Sequence, residues 1–192
     1  MISLALLDNF FLKLKLEVFE CLIEFKELAE NESGCKIKIL RTDNEGDYFN
    51  KDVQQLCIDA GIQLQHIVPY TPQRNGVTER RKRSLKEMAN CMLHSKSLAP
   101  KLWNEATNCV EYIQNRIPHK AFKGTTPFEC WNDKKPKVSH FHIFGSRAWA
   151  HISTDKRKDL EPQSVECIFI GYPKIVKGYR LLDSHAKNFL VA

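Results

Sequence analysis

The chain has no Cys-x-x-Cys pair and no His/Cys arrangement with the spacing of a zinc site. Its seven cysteines (Cys21, Cys35, Cys57, Cys91, Cys109, Cys130 and Cys167) are odd in number and widely spaced. That pattern reads as reduced thiols, mostly in a core, of an intracellular protein. Long apolar runs are missing too. None reaches the roughly 18 residues a membrane span needs, so no membrane partner is expected. The opening stretch, MISLALLDNFFLKLKL, is apolar but broken by Asp8, Lys13 and Lys15. It carries neither a charged leader nor a small-residue cleavage site, and it is not read as a signal peptide. No internal repeat and no low-complexity segment is found.

What is present suits a globular chain with a real core: 192 residues, 43% hydrophobic and 27% charged. The net charge of +6 leans towards a polyanionic partner, and its placement matters more than its total. The basic charge gathers in residues 69–86, PYTPQRNGVTERRKRSLK, where one acid, Glu79, stands among Arg74, Arg80, Arg81, Lys82, Arg83 and Lys86.

Periodicity divides the chain into an α/β half and a β half. Val18, Leu22, Phe25 and Ala29 form the apolar stripe of a helix over 16–30, stopped by Gly34. KIKILR (36–41) alternates as a strand does. The turn TDNEGDY (42–48) leads to a helix from about Asn50, with Val53, Leu56, Cys57 and Ala60 on one face and Gly61 at its C-cap. IQLQHIV (62–68) is a second strand, with Ile62, Leu64 and His66 on one side. Pro69, Pro72 and Gly76 predict a loop over 69–76. A long helix is then expected over 77–95, its buried side holding Val77, Leu85, Met88 and Met92. Glu79, Arg83, Lys86 and Asn90 share another strip, and Arg81 snorkels past the apolar side. The next helix runs from Pro100 to Arg116 on Leu102, Ala106, Cys109, Val110 and Ile113. Thr126-Pro127-Phe128-Glu129 is a capping box with proline at N1. After Pro136 the period shortens, and 141–152, 165–172, 178–183 and 188–192 read as the strands of a small β unit. The expected organisation is a core over 1–117, a linker with a short helix over 118–140, and a β domain over 141–192.

Asp43 follows a strand, and Glu79 sits early in a helix 36 positions later. Two carboxylates brought together from separate elements can hold divalent magnesium or manganese, because hard cations take oxygen ligands. Such ions activate an attacking oxygen and stabilise a leaving one at a phosphodiester. Arg83 and Lys86 would meet phosphates beside them. Each residue also has a plainer reading. An aspartate after a strand is commonly a turn residue. A glutamate in a basic helix is commonly an i, i+4 partner, here of Arg83. A basic run is commonly a solvated face.

Taken together, ILRTDNEGDY, VPYTPQRNGVTER, LWNEATNCVEYIQNR, TPFECW, HFHIFGSRAWAHI, CIFIGY and KGYRL occur in one order. Over about residues 11–192 the chain resembles the Copia-type long-terminal-repeat retrotransposon polyprotein, from its integrase core into the segment that follows. The resemblance implies a ribonuclease H-like α/β core followed by a small SH3-like all-β domain. It implies metal-dependent DNA strand transfer on magnesium or manganese held by three acids. Asp43, in Arg41-Thr42-Asp43-Asn44-Glu45-Gly46-Asp47-Tyr48, matches the second of these, and Glu79, in the Pro69–Arg80 stretch, matches the third. Gln73, Asn75 and Gly76 resemble the mobile loop that approaches DNA. Arg74, Arg80, Lys82, Arg83 and Lys86 are the expected DNA-binding residues, with DNA and an integrase homo-oligomer as partners and the nucleus as location.

Two departures bear on activity. No residue matches the first acid: Asp8 is only 35 positions before Asp43, closer than the family's pattern, and MISLALLDN matches poorly. The first strands of the core and the upstream zinc-binding module have no counterpart in these residues. Glu45 also stands where the family usually has glycine, which bears on the turn's geometry and on metal affinity. The chain is therefore expected to be an integrase-derived segment without catalysis of its own. It would act as a DNA-binding module or as a partner in integrase multimers, and its uncovered strand edges should leave it marginally stable.

Overall fold

The computed structural model describes residues 6, 8–12, 14, 17–42, 51–66, 72–119, 122–157, 161–174 and 176–192, the side chains of 66, 72–78 and 156 apart. Two compact units emerge, Phe10–Lys82 and Met1–Asn9 with Arg83–Ala192. The division falls inside a helix.

The Phe10–Lys82 unit is built from α1 (Glu17–Ser33), β1 (Ile39–Thr42), α2 (Lys51–Asp59), β2 (Gln63–His66) and the first turns of α3 (Pro72–Ser95). β1 and β2 pair in parallel, with Ile39 opposite Gln63 and Thr42 opposite His66. A parallel pair needs a crossover, and α2 supplies it. Val53, Cys57 and Ile62 form the buried centre, with Phe19, Leu22, Ile37, Leu40, Ala60 and Leu64 packed around them. Val53, Cys57 and Ala60 on α2 and Ile62 and Leu64 at β2 are on the faces the periodicity marks; on α1, Leu22 is on the expected stripe and Phe19 is not. Gly34 (φ 64°) and Gly61 (φ 66°) turn the chain out of α1 and α2 in the left-handed region that other residues enter at a cost. Near the end of α1, Glu30 accepts the Ile37 backbone N–H at 2.9 Å and pairs with Lys26 at 3.0 Å. The Ile37 bond is the main reason its carboxyl lies below the usual range.

α3 begins at Pro72, so the loop expected over 69–76 is helical from Pro72 onward; 67–71 lie outside the described residues. The same proline that signals a loop is also a favoured first helical residue, since its missing N–H is not needed there. Gly76 then sits inside a helix, at a cost of about 1 kcal/mol relative to alanine.

In the other unit, α3 is followed by a 3₁₀ turn (Pro100–Leu102), α4 (Trp103–Gln114), α5 (Pro127–Asn132) and a four-stranded antiparallel sheet. Its strands are β3 (Arg147–His151), β4 (Ser164–Gly171), β5 (Arg180–Asp183) and β6 (Phe189–Val191), in that spatial order. α4 lays Ala106, Cys109 and Val110 against β4, whose Cys167, Phe169 and Ile170 face it in one buried cluster. Burial pushes the Cys109 thiol up to about 12, which makes it a packing group and not a nucleophile. Ala89 and Leu93 bring the second half of α3 into the same core. Met88, expected inside, is 40% exposed. The helix turns its Leu85–Ala89–Leu93 edge inward, and Met88 lines a groove with Ile113 and Gln114, whose amide donates to its sulfur at 3.0 Å. The capping box forms as expected: Thr126 Oγ1 accepts the Glu129 backbone N–H at 3.0 Å.

Gly145 enters β3 at φ 80°, and a Cβ there would lie 2.6 Å from Lys96 Cγ and 3.1 Å from Leu98 Cδ1. Gly145→Ala should therefore destabilise this unit by about 1–2 kcal/mol, through the left-handed backbone and the contact together. A thermal melt reads it as a lowered Tm, and an unchanged Tm would contradict the strain.

Candidate nucleic-acid interface

The C-terminal edge of the parallel pair is where α/β sheets present ligand groups. β1 ends at Thr42, so Asp43 is the next residue beyond that edge. β2 ends beside it at His66, in register with Thr42, and the chain proceeds into α3. Asp43 itself, and with it Glu45, lies outside the described residues. Gln73, Arg74 and Asn75 fall in the first turns of α3, on a helix and not a loop; their side chains are not described.

From Glu79 onward the helix surface is explicit. Glu79, Arg80, Lys82, Arg83, Lys86 and Asn90 are all exposed, and Arg81 is half-buried. The strip Glu79–Arg83–Lys86–Asn90 therefore forms along one helix face as its spacing implies. Four exposed cations over seven residues make a concentrated positive field between two exposed carboxylates, Glu79 and Glu87. This field attracts phosphate, and each carboxylate is a hard oxygen donor. Among the described residues no group of three His, Cys, Asp or Glu side chains could hold a metal ion.

A second polar feature lies on α4. Asn104, Asn108, Glu111 and Asn115 recur at helical spacing, and Glu111 and Asn115 are 7% and 6% exposed. Glu111 accepts the Asn9 backbone N–H at 2.9 Å. Burial pushes its carboxyl up to about 7; Lys174 works against this, Asp8 adds to it, and the Asn9 contact lowers it. The side-chain oxygens of Asn104 and Asn108 are buried without a partner among the described residues. The period was visible in the sequence as a polar stripe beside the apolar one. Its burial was not, because the residues that cover it are far away along the chain.

The described elements are a parallel βαβ pair in one unit and a four-stranded antiparallel sheet in the other, with a basic helix between them in sequence. Solved viral structures are similar to this chain in fold. One, a chain of the simian T-cell lymphotropic virus intasome solved with PP2A regulatory subunit B56 gamma, matches with a TM-score of 0.50. It is 15% identical and covers 94% of this chain and 63% of that one. Residues 146–192 match the retroviral polymerase SH3-like domain, which spans β3 to β6.

The chain is a homologue of retrovirus-related Pol polyproteins of plant transposons. It is 38% identical over 181 residues to the polyprotein of transposon TNT 1-94 from Nicotiana tabacum, across 94% of this chain. It is 29% identical to that of transposon RE2 from Arabidopsis thaliana, across 89%. The chain spans 14% and 12% of the length of these two relatives.

Proposed function

We propose that this chain is an integrase-derived segment that binds DNA through the basic face of α3 and does not catalyse strand transfer on its own. The observation that carries the reading is the exposed strip of Arg80, Lys82, Arg83 and Lys86 around Glu79. Phosphate contacts by such a strip position a duplex without reading its sequence. Its partners on this reading are DNA, in the nucleus, and copies of integrase.

Asp43 and Glu79 fit magnesium or manganese by donor type, both being hard carboxylates. A bound ion there would activate an attacking oxygen and stabilise a leaving one. The resemblance implies three such acids, and these 192 residues taken alone supply two. Two ligands hold the ion less tightly and leave it less fixed, and a metal-centred displacement depends on fixed geometry.

The test is a labelled DNA end incubated with the chain and magnesium or manganese, scored for nicking and strand transfer. Products should stay at background, with Asp43→Asn and Glu79→Gln indistinguishable from the parent. Turnover that vanishes in either variant would show that the two acids suffice.

A further inference from the structure

Residues 1–9 group with the unit that holds α4 and the antiparallel sheet, while Phe10 onward groups with the other. Asp8 and Asn9 are tied to their unit by three contacts. Asn9 donates its backbone N–H to Glu111 Oε2 at 2.9 Å. Lys174, in the segment after β4, pairs with the Asp8 carboxylate and reaches the Asn9 carbonyl at 3.4 Å. Glu111 is 7% exposed, and a carboxylate that far from water is costly unless it is paired or protonated.

We propose that Asp8 and Asn9 form a strap clasped between Glu111 and Lys174, and that this clasp is a pH-sensitive latch. The charged groups facing Glu111 among the described residues are Lys174, Asp8 of the strap and Arg116, in the turn just past the end of α4. Arg116 is itself committed elsewhere. Its guanidinium lies 3.5 Å from the centre of the Tyr112 ring and 4.7 Å from that of Phe128, and it donates to the Tyr112 carbonyl.

Opening the strap admits water to Glu111 and takes away Asp8. Both changes favour the ionised carboxylate. Loss of the Asn9 N–H acts the other way but is smaller than the burial effect. The docked carboxyl therefore titrates near 7, above its value with the strap open. A group with the higher pKa in the docked state takes up a proton on docking. The clasp is tightest below neutral pH and loosens as pH rises through about 7. The Asp8–Lys174 ion pair supplies a second part of the clasp.

The test uses the full chain, labelled with ¹⁵N, and amide hydrogen exchange at Asn9 expressed as a protection factor. Protection should fall by roughly tenfold between pH 6 and pH 8.5, following the single proton linked to docking. Glu111→Gln, a neutral acceptor of the same shape, should keep protection and lose the pH dependence. Lys174→Glu should cut protection at pH 6 by about tenfold, and adding Asp8→Lys to it should restore most of the loss. Four results would overturn the proposal: an unprotected Asn9 amide at pH 6, a flat profile in the parent, an unchanged profile in Glu111→Gln, or no recovery on charge exchange. If Glu111→Gln fails to fold, the Lys174→Glu and charge-exchange pair decides alone.

Discussion

Ile170→Ala should cost about 3–5 kcal/mol, in the upper part of the range for such truncations. Ile170 is fully buried at the centre of the cluster that joins β4, β5, α4 and the second half of α3. Removing three carbons there opens a cavity that its neighbours cannot collapse into. Phe169 and Leu181 belong to the same sheet, and Cys109 and Val110 are fixed on a helix. Whole-domain stabilities are about 5–15 kcal/mol, so a loss of this size removes much of the unit's margin. Urea unfolding followed by circular dichroism should show a much lower midpoint with the slope unchanged. Val165→Ala on the same strand, only half-buried, should cost less than about 1.5 kcal/mol. Equal losses at the two positions would mean that the core is not where α4 meets β4. Ala89 and Leu93 belong to this core. Damage to it should therefore also weaken the helix that displays Arg83 and Lys86.

Reversing the charge of Arg80, Arg83 and Lys86 together, each to glutamate, should lower affinity for duplex DNA by a factor of 100 to 1,000 or so at low salt. All three are exposed on α3, so the change leaves packing intact. Each lost phosphate contact removes about 0.9 from the slope of log affinity against log salt, so the triple variant should lose about 3 from it. The effect should be the same on unrelated DNA sequences, because backbone contacts carry no base information. Competition between labelled duplexes, measured by fluorescence anisotropy, checks both points. Glu79→Gln should bind at least as tightly as the parent, since it removes one of the two exposed carboxylates, Glu79 and Glu87, beside these cations. A triple variant that binds as the parent does would make α3 an ordinary solvated face.

Helix faces were the most legible part of the chain. Val53 and Cys57 on α2, and Ala106, Cys109 and Val110 on α4, are buried where the 3.6-residue period places them. Three of the four strands of the C-terminal sheet lie within the segments that the shortened period marks, and β4 starts one residue earlier, at Ser164. Local chemistry fixed the Thr126 cap for the same reason, since all its atoms are within four residues. The start of α3 was harder to read, because Pro72 serves equally as loop punctuation and as a first helical residue, and only the surrounding packing chooses. Met88 went wrong by a small rotation of the helix: the side that packs is set by α4 and the sheet, not by α3 itself. Glu111 was invisible as a buried acid because its hydrogen-bond partner, the Asn9 backbone N–H, lies 102 positions away. For the site, spacing brought Asp43 and Glu79 forward as a pair. Glu79 lies on the helix that follows β2, while Asp43 lies outside the described residues.

The most direct test of the central claim is the salt dependence of DNA binding by the unaltered chain. A labelled duplex is titrated at several salt concentrations from 50 to 200 mM, and log affinity is plotted against log salt. Four to five phosphate contacts by the α3 strip predict a linear fall with a slope of about −4, equal for unrelated duplex sequences. No binding at the lowest salt, or an affinity that does not change with salt, would contradict a role for this helix in holding DNA.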